Sequence, residues 1–174
     1  PLPFIIRAVV KALKDYPNFN SSLDLKKEKL IYKKYFHIGI AMDTPHGLMV
    51  PKIRDADKKD ITELGKELKK ITKLCRELKI DKKEFFGGSM TISSLGSIGG
   101  SFFTPIINEP EVAILGIGRA ETKQVFVEDK YENRIMLPIS LSYDHRVVDG
   151  AEGARFCAHL RESLGKDFAF KLAV

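Results

Sequence analysis

Apolar residues along this chain follow two periods, and the switches between them predict the order of its elements. From Phe4 to Tyr16, FIIRAVVKALKDY sets Ile5, Val9, Ala12 and Leu13 on one side of a helix, and Pro17 ends the run. Between Asn18 and Arg54 the texture turns β-branched and aromatic, in LIYKKYFHIGIAM and LMVPKI. The turn-like Asp43-Thr44-Pro45-His46-Gly47 lies between those two stretches, so strands and a hairpin are expected. Ile61, Leu64, Leu68, Ile71, Leu74 and Leu78 then recur at steps of three and four, which predicts a second helix with Cys75 in its core stripe. Asp60 before it and Glu63 three residues on have the pattern of a capping box.

Gly87 and Gly88 break to SMTISSL, a short strand, and then to the glycine-rich loop GSIGGS. The last third reads as the strands EVAILGIG, KQVFVED and RIMLPISLSY, with a turn at Lys130 to Asn133. The first and third of these are nearly continuous apolar runs, the pattern of strands buried on both faces. A final helix follows Gly150, with Ala154, Cys157, Leu160 or Arg161, and Leu164 at suitable steps. No repeat, low-complexity tract or linker interrupts the pattern, which predicts one mixed α/β domain over 1–174.

Composition narrows the class. The chain has 174 residues, 44% of them apolar, enough for one continuous core. No uncharged apolar run reaches the roughly eighteen residues of a membrane span, and Arg7 and Lys11 interrupt the opening where an export signal would stay apolar. The first residue is Pro1, so the chain is expected to be a piece of something longer. Cys75 and Cys157 lack the spacing of a zinc site, and free thiols in a reducing compartment are expected, with no metal. Most of the net charge of +6 lies between Lys58 and Lys83, where no aromatic residue is interleaved; this reads as a solvated helix face and not as a nucleic-acid surface. Rossmann, phosphate-loop, zinc-protease and nucleophile-elbow patterns are all missing.

What remains is SYDHRVVDGA, residues 142–151, where a long apolar strand ends in Asp144-His145-Arg146 and a helix begins after Asp149-Gly150. Polar side chains gathered at a strand end sit where open α/β sheets place ligands. Each also has a plainer reading. His145 would be structural, Asp149 a helix N-cap, and Asp144 with Arg146 a surface pair.

SYDHRVVDGA resembles the H-x-x-x-D-G signature of the dihydrolipoamide acyltransferases, the E2 components of 2-oxo acid dehydrogenase complexes. YFHIGIAMDTPHGLMVPKIRDADKKDITEL, MTISSLGSIGGSFFTPIINEPEVAILGIG and RIMLPISLSYDHRVVDGAEGARF resemble the same family in the same order and cover most of the chain. Within the family, PEVAILGIGRAE and LPISLSYDHRVVDGA look most like the bacterial pyruvate-type branch, which implies an acetyl cargo. The resemblance implies an α/β fold like that of chloramphenicol acetyltransferase, a mixed sheet with flanking helices. It implies a homotrimer with sites at subunit interfaces, His145 from one subunit and Ser93 from its neighbour, assembling into a larger cubic core.

The substrates implied are coenzyme A or acetyl-CoA and the lipoyl group, though no residue is assigned to bind them. The further partners are lipoyl domains, and E1 and E3 components held through other domains of the full chain. The setting is a bacterial cytoplasm, or the mitochondrial matrix in a eukaryote. The resemblance leads one to expect that this sequence lacks the N-terminal segment of a complete family core and the lipoyl and subunit-binding domains.

The implied chemistry has an independent physical reason. Acyl transfer between thiols needs a thiolate, and a thiol with a pKa near 8.5 is only a few per cent ionised at pH 7. A neutral imidazole, with a pKa of about 6.5, can take that proton and return it to the departing thiol; the resemblance gives this role to His145. The tetrahedral oxyanion needs a preorganised donor, which the family draws from the first serine of T-I-S-S, here Ser93, with Ser94 as the neighbouring alternative. Asp149 matches the family's acidic or amide position and is expected to support the histidine; its partner stays open. The rival functions are a coenzyme A-dependent transferase to a hydroxyl acceptor, a non-catalytic cage component, and a serine hydrolase acting through Ser93.

Overall fold

The computed structural model describes residues 1–172. Helix α1 (Leu2–Asp15) opens the fold and buries Ile5, Ile6, Ala8, Val9, Val10, Ala12 and Leu13. A short antiparallel pair follows, β1 (Ser21–Asp24) and β2 (Lys29–Tyr32). Then come β3 (Ile38–Thr44), β4 (Gly47–Met49) and β5 (Lys52–Ile53). The turn expected at 43–47 is the β3–β4 hairpin, with Thr44 paired to Gly47. Helix α2 (Ile61–Arg76) carries the expected capping box, Asp60 accepting from Glu63 N and Glu63 accepting from Asp60 N.

The second helix stops two residues earlier than its spacing predicts. Leu78 takes a left-handed φ of 53°. Its N–H bonds Cys75 O and that of Lys79 bonds Leu74 O, the Schellman closure that ends helices. Leu78 is therefore exposed at the cap, while Cys75 is fully buried in the core.

Strands β6 (Met90–Ser94), β7 (Ala113–Ile117), β8 (Glu121–Val127), β9 (Lys130–Met136) and β10 (Ile139–Tyr143) complete the sheets, and α3 (Gly150–Ser163) and α4 (Phe168–Leu172) close the described chain. The main sheet runs β10-β7-β6-β3-β4, with β5 also paired to β3. β3, β6 and β7 are mutually parallel, while β4, β5 and β10 run against them. The sheet is mixed, as expected.

Register separates its two faces. Ile40, Ile92, Leu115 and Leu141 lie in one row across β3, β6, β7 and β10, and all belong to or pack on the core beneath the helices. Ala41, Ser93, Gly116 and Ser140 form the neighbouring row, which the pleat points to the opposite, helix-free face. Each fully buried aliphatic side chain on the helix side contributes about 1.5–3 kcal/mol.

The last third departs from expectation at four points. RIMLPISLSY is not one strand: Pro138, which cannot donate to a ladder, separates β9 from β10. β7 is buried throughout, but β10 is only half-buried because it is the edge of the sheet. The turn lies at Glu128-Asp129 and not at 130–133. Both residues adopt left-handed φ, 49° and 61°, and Val127 pairs directly with Lys130. In α3 the buried stripe is Gly153, Phe156, Leu160 and Ser163, so Ala154 faces solvent and Cys157 is only half-buried.

Candidate active site

His145 is placed by the way β10 ends. Asp144 N donates to Val112 O at 2.8 Å, extending the pairing with β7 by one bond, and Asp144 O then accepts from Val147 N and Val148 N to form the turn. Val148 anchors that turn in the core at 1% exposure. The Asp144 carboxylate receives Arg146 Nε at 2.9 Å and the same guanidinium's Nη2 at 2.6 Å, which holds its carboxyl below the usual range. The pair expected on the surface is therefore a bidentate clasp. It leaves His145 between its two members with its ring exposed. The imidazole sits 5.8 Å from the Tyr143 ring, tilted by 36°, and bonds no other side chain among the described residues.

Asp149 is the N-cap of α3, its Oδ1 accepting from Glu152 N at 2.7 Å. This is its plainer reading; among the described residues it forms no bond to His145.

Ser93 stands in the penultimate position of β6, flanked by Ala41 of β3 and Gly116 of β7. Its half-buried side chain points to the helix-free face and has no hydrogen-bond partner among the described residues. The Phe103–Pro105 loop crosses that face. A Cβ at Gly116 would lie 3.0 Å from the Phe103 ring and 3.2 Å from Pro105, so only glycine lets the loop approach so closely. Ser94 faces the other way, into a groove of about 630 Å³ lined by Met42, Lys69, Thr72, Lys73 and Arg76. The two serines are therefore not interchangeable.

The sheet does not bring Ser93 and His145 together within one chain. Because β10 is antiparallel, Tyr143 lies opposite Ala113 at the start of β7, whereas Ser93 lies opposite Gly116 near its end. With two interstrand spacings of about 4.8 Å and about 3.3 Å per residue along the strands, the two groups are roughly 15–20 Å apart. His145 consequently sits at the amino ends of the parallel strands, not at the carboxyl ends where the sequence pattern alone would put a ligand.

One buried polar cluster gave no sequence signal. Lys52 and Glu111 form an ion pair at 2.6 Å with both side chains 1% exposed. Thr91 Oγ1 donates to Glu111 Oε2 at 2.6 Å. Burial pushes the neighbouring Lys33 ammonium down to about 8, with Lys52 adding to the fall and Glu111 opposing it.

A family profile described as 2-oxoacid dehydrogenases acyltransferase (catalytic domain) matches residues 1–169. The dihydrolipoyllysine-residue acetyltransferase component of the pyruvate dehydrogenase complex of Cupriavidus necator is 51% identical over 163 residues, 94% of this chain and 29% of that protein. The chain thus spans under a third of the length of this relative. The cubic core of a pyruvate dehydrogenase multienzyme complex superposes with a TM-score of 0.94 at 47% identity, covering 98% of this chain and 70% of that one. An Azotobacter vinelandii dihydrolipoamide acetyltransferase, solved to study the catalytic roles of a serine, a histidine and an asparagine, also gives 0.94, at 46% identity and the same coverages. A chloramphenicol acetyltransferase matches at a TM-score of 0.63 and 15% identity over 94% of this chain and 77% of that one, which establishes the shared fold.

Proposed function

The chain belongs to the 2-oxoacid dehydrogenase acyltransferase family, and from that premise we propose that it transfers an acetyl group between a dihydrolipoyl thiol and coenzyme A. His145 is the general base and Ser93 the oxyanion donor, in a site shared between two copies of the chain. The observation that carries this reading is the pair of open side chains at opposite ends of the sheet. Among the described residues His145 is an exposed imidazole without a hydrogen-bond partner, and Ser93 is a hydroxyl without one, too distant to share a carbonyl with it. A second copy supplies the missing half. The serine, histidine and asparagine of the Azotobacter enzyme stand at the same separations in sequence as Ser93, His145 and Asp149, although this chain has a carboxylate where that enzyme has an amide.

The chemistry follows from these placements. A thiol entering beside His145 gives its proton to the imidazole as sulfur attacks the thioester carbonyl. The carbonyl oxygen becomes an oxyanion, and the neighbouring copy's Ser93 Oγ donates to it. Collapse of the tetrahedral species expels the second sulfur, which takes the proton back from His145. The base contributes about 10²- to 10⁴-fold and the oxyanion donor about 3–4 kcal/mol. Asp149 holds the start of α3, and so the far side of the turn that carries the imidazole.

The β8–β9 hairpin supports association with a second copy. Register places Thr122, Gln124, Phe126, Tyr131, Asn133 and Ile135 on one face, without a charge. Phe126, Tyr131 and Ile135 are 59%, 73% and 79% exposed. An isolated two-stranded hairpin is marginal in water, so such a face needs a partner. It rises from the sheet end that holds Ser93, because β8 follows β7 and β9 leads back to β10. We assign that face to another copy of the chain, in a trimer that builds a cubic core, with lipoyl domains and E1 and E3 components attached through the rest of the polypeptide in a bacterial cytoplasm.

The assay that tests the function offers acetyl-, succinyl- and branched-chain acyl-CoA to dihydrolipoamide in parallel. Transfer fastest from acetyl-CoA is expected. Preference for an alcohol acceptor, or transfer undiminished in His145→Ala, would overturn the reading.

A further inference from the structure

We infer that Glu111, clamped by Lys52 and Thr91, is a positioning residue that sets both halves of the site at once. The inference rests on the roles proposed above for His145 and Ser93. The carboxylate receives Lys52 Nζ at 2.6 Å, Thr91 Oγ1 at 2.6 Å and Asn108 Nδ2 at 3.3 Å, so both its oxygens are held inside the protein. Thr91 lies two residues before Ser93 in β6 and points to the same face. Val112 follows Glu111 directly, and its carbonyl takes the bond from Asp144 N that starts the His145 turn. One buried side chain thus ties the serine's strand to the backbone group on which the histidine's turn hangs.

Stability alone does not account for this cluster. Removing a lysine and a glutamate from water offsets most of what their attraction returns, and well-packed apolar residues usually serve a core as well or better. What a buried, fully bonded ion pair does supply is fixed geometry. The surroundings are shaped to admit it. A Cβ at Gly88 would collide with the Glu111 carboxylate and with Lys52, and one at Gly39 with Thr91 Oγ1 and Lys52 Nζ. One position within β3 and one just before β6 are therefore kept free of side chains around this one pair. Transfer between two copies demands such fixity, since a shift of about 1 Å in a reacting group can cost on the order of a hundredfold in rate.

The test replaces the cluster by apolar residues of similar size, Lys52→Met, Thr91→Val and Glu111→Leu together, in the full-length oligomeric protein. The expected result is a thermal midpoint near that of the unmodified protein, KM values for both thiol substrates changed less than about twofold, and kcat lowered roughly tenfold to a hundredfold. A folded triple variant with unaltered kcat overturns the inference and leaves the proposed function standing. Failure of the unmodified protein to transfer acetyl groups sinks the function, and the inference with it. Should the triple variant fail to fold, Thr91→Val alone decides. It cuts one link and keeps the ion pair, so a severalfold loss of kcat at constant KM is expected and an unchanged kcat is the contrary result.

A site-resolved version mixes Ser93→Ala chains with His145→Ala chains and adds the triple substitution to one parent at a time. Regained activity should fall in both mixtures. A loss in only one would show that Glu111 does not serve both halves.

Discussion

The two ends of the central sheet hold Ser93 and His145, the groups proposed to act on the acyl carbonyl, in opposite ways. Ser93 is locked between two parallel neighbours, its backbone paired on both sides and a loop drawn close over the same face. His145 stands on a turn beyond an edge strand, joined to β7 by one backbone bond and closed by two more onto Asp144 O and by the Asp144–Arg146 clasp, with its ring open to solvent. An oxyanion donor works by being immobile before charge develops. A base that receives a proton from one sulfur and returns it to another needs access. Each end is suited to one of these tasks, and neither end can perform both.

The largest expected effect comes from separating copies so that the two ends never meet. Replacing Tyr131 and Ile135 together by Glu on the charge-free face of β9 should convert the oligomer to monomer in native mass measurement and abolish transfer. The helical circular dichroism should persist, because the hairpin lies outside the described core. An intact, active oligomer would break the comparison.

Next in size is His145→Ala, expected to lower kcat by about 10²- to 10⁴-fold in the transfer assay. Stability should move by no more than about 0.5 kcal/mol, since an exposed, unbonded ring is removed. Ser93→Ala should cost about 10²- to 10³-fold. Ser94→Ala should cost little, because Ser94 faces the groove on the other side of the sheet. Reversal of that pair would move the oxyanion donor to the helix side and sharpen the contrast differently.

Smaller effects probe what holds each end. Asp149→Ala should destabilise by about 1 kcal/mol through loss of the α3 cap, while Asp149→Asn, an equally good cap, should melt near the unmodified protein. Lys33 donates to Ser21 O and Gly88 O beside the buried cluster, and its folded pKa of about 8 lies below the ordinary 10.5. Below about pH 8 the fold must bury its charge. As pH rises from 8 toward 10.5 the unfolded chain retains the proton that the fold has already released, so stability rises. Chemical denaturation of the unmodified protein and Lys33→Met across that range should show the gain only in the former.

The helices were legible because their period is local: α1 and α2 fall within a few residues of the spacing, and the Asp60–Glu63 cap is readable directly. The β8–β9 turn was not, since Glu128 and Asp129 take left-handed backbone without glycine. The stripe of α3 was misplaced by about a quarter turn, because tertiary packing of Phe156 on Phe19 selects the buried face. Lys52 opens the two-residue β5 and Glu111 lies two residues before β7, and no local pattern announces a partner 59 residues away. The roles proposed for His145 and Ser93 rest on family resemblance. Spacing alone left both with plainer readings, and the distance between them is a property of an antiparallel edge strand that no sequence period encodes.

The most direct measurement mixes unfolded Ser93→Ala and His145→Ala chains, refolds them together and assays acetyl transfer to dihydrolipoamide. If each site takes its base from one copy and its oxyanion donor from the next around a closed ring, about one quarter of the unmodified activity should return. If activity stays at the level of the separate variants, the two groups do not act across an interface and the account is wrong.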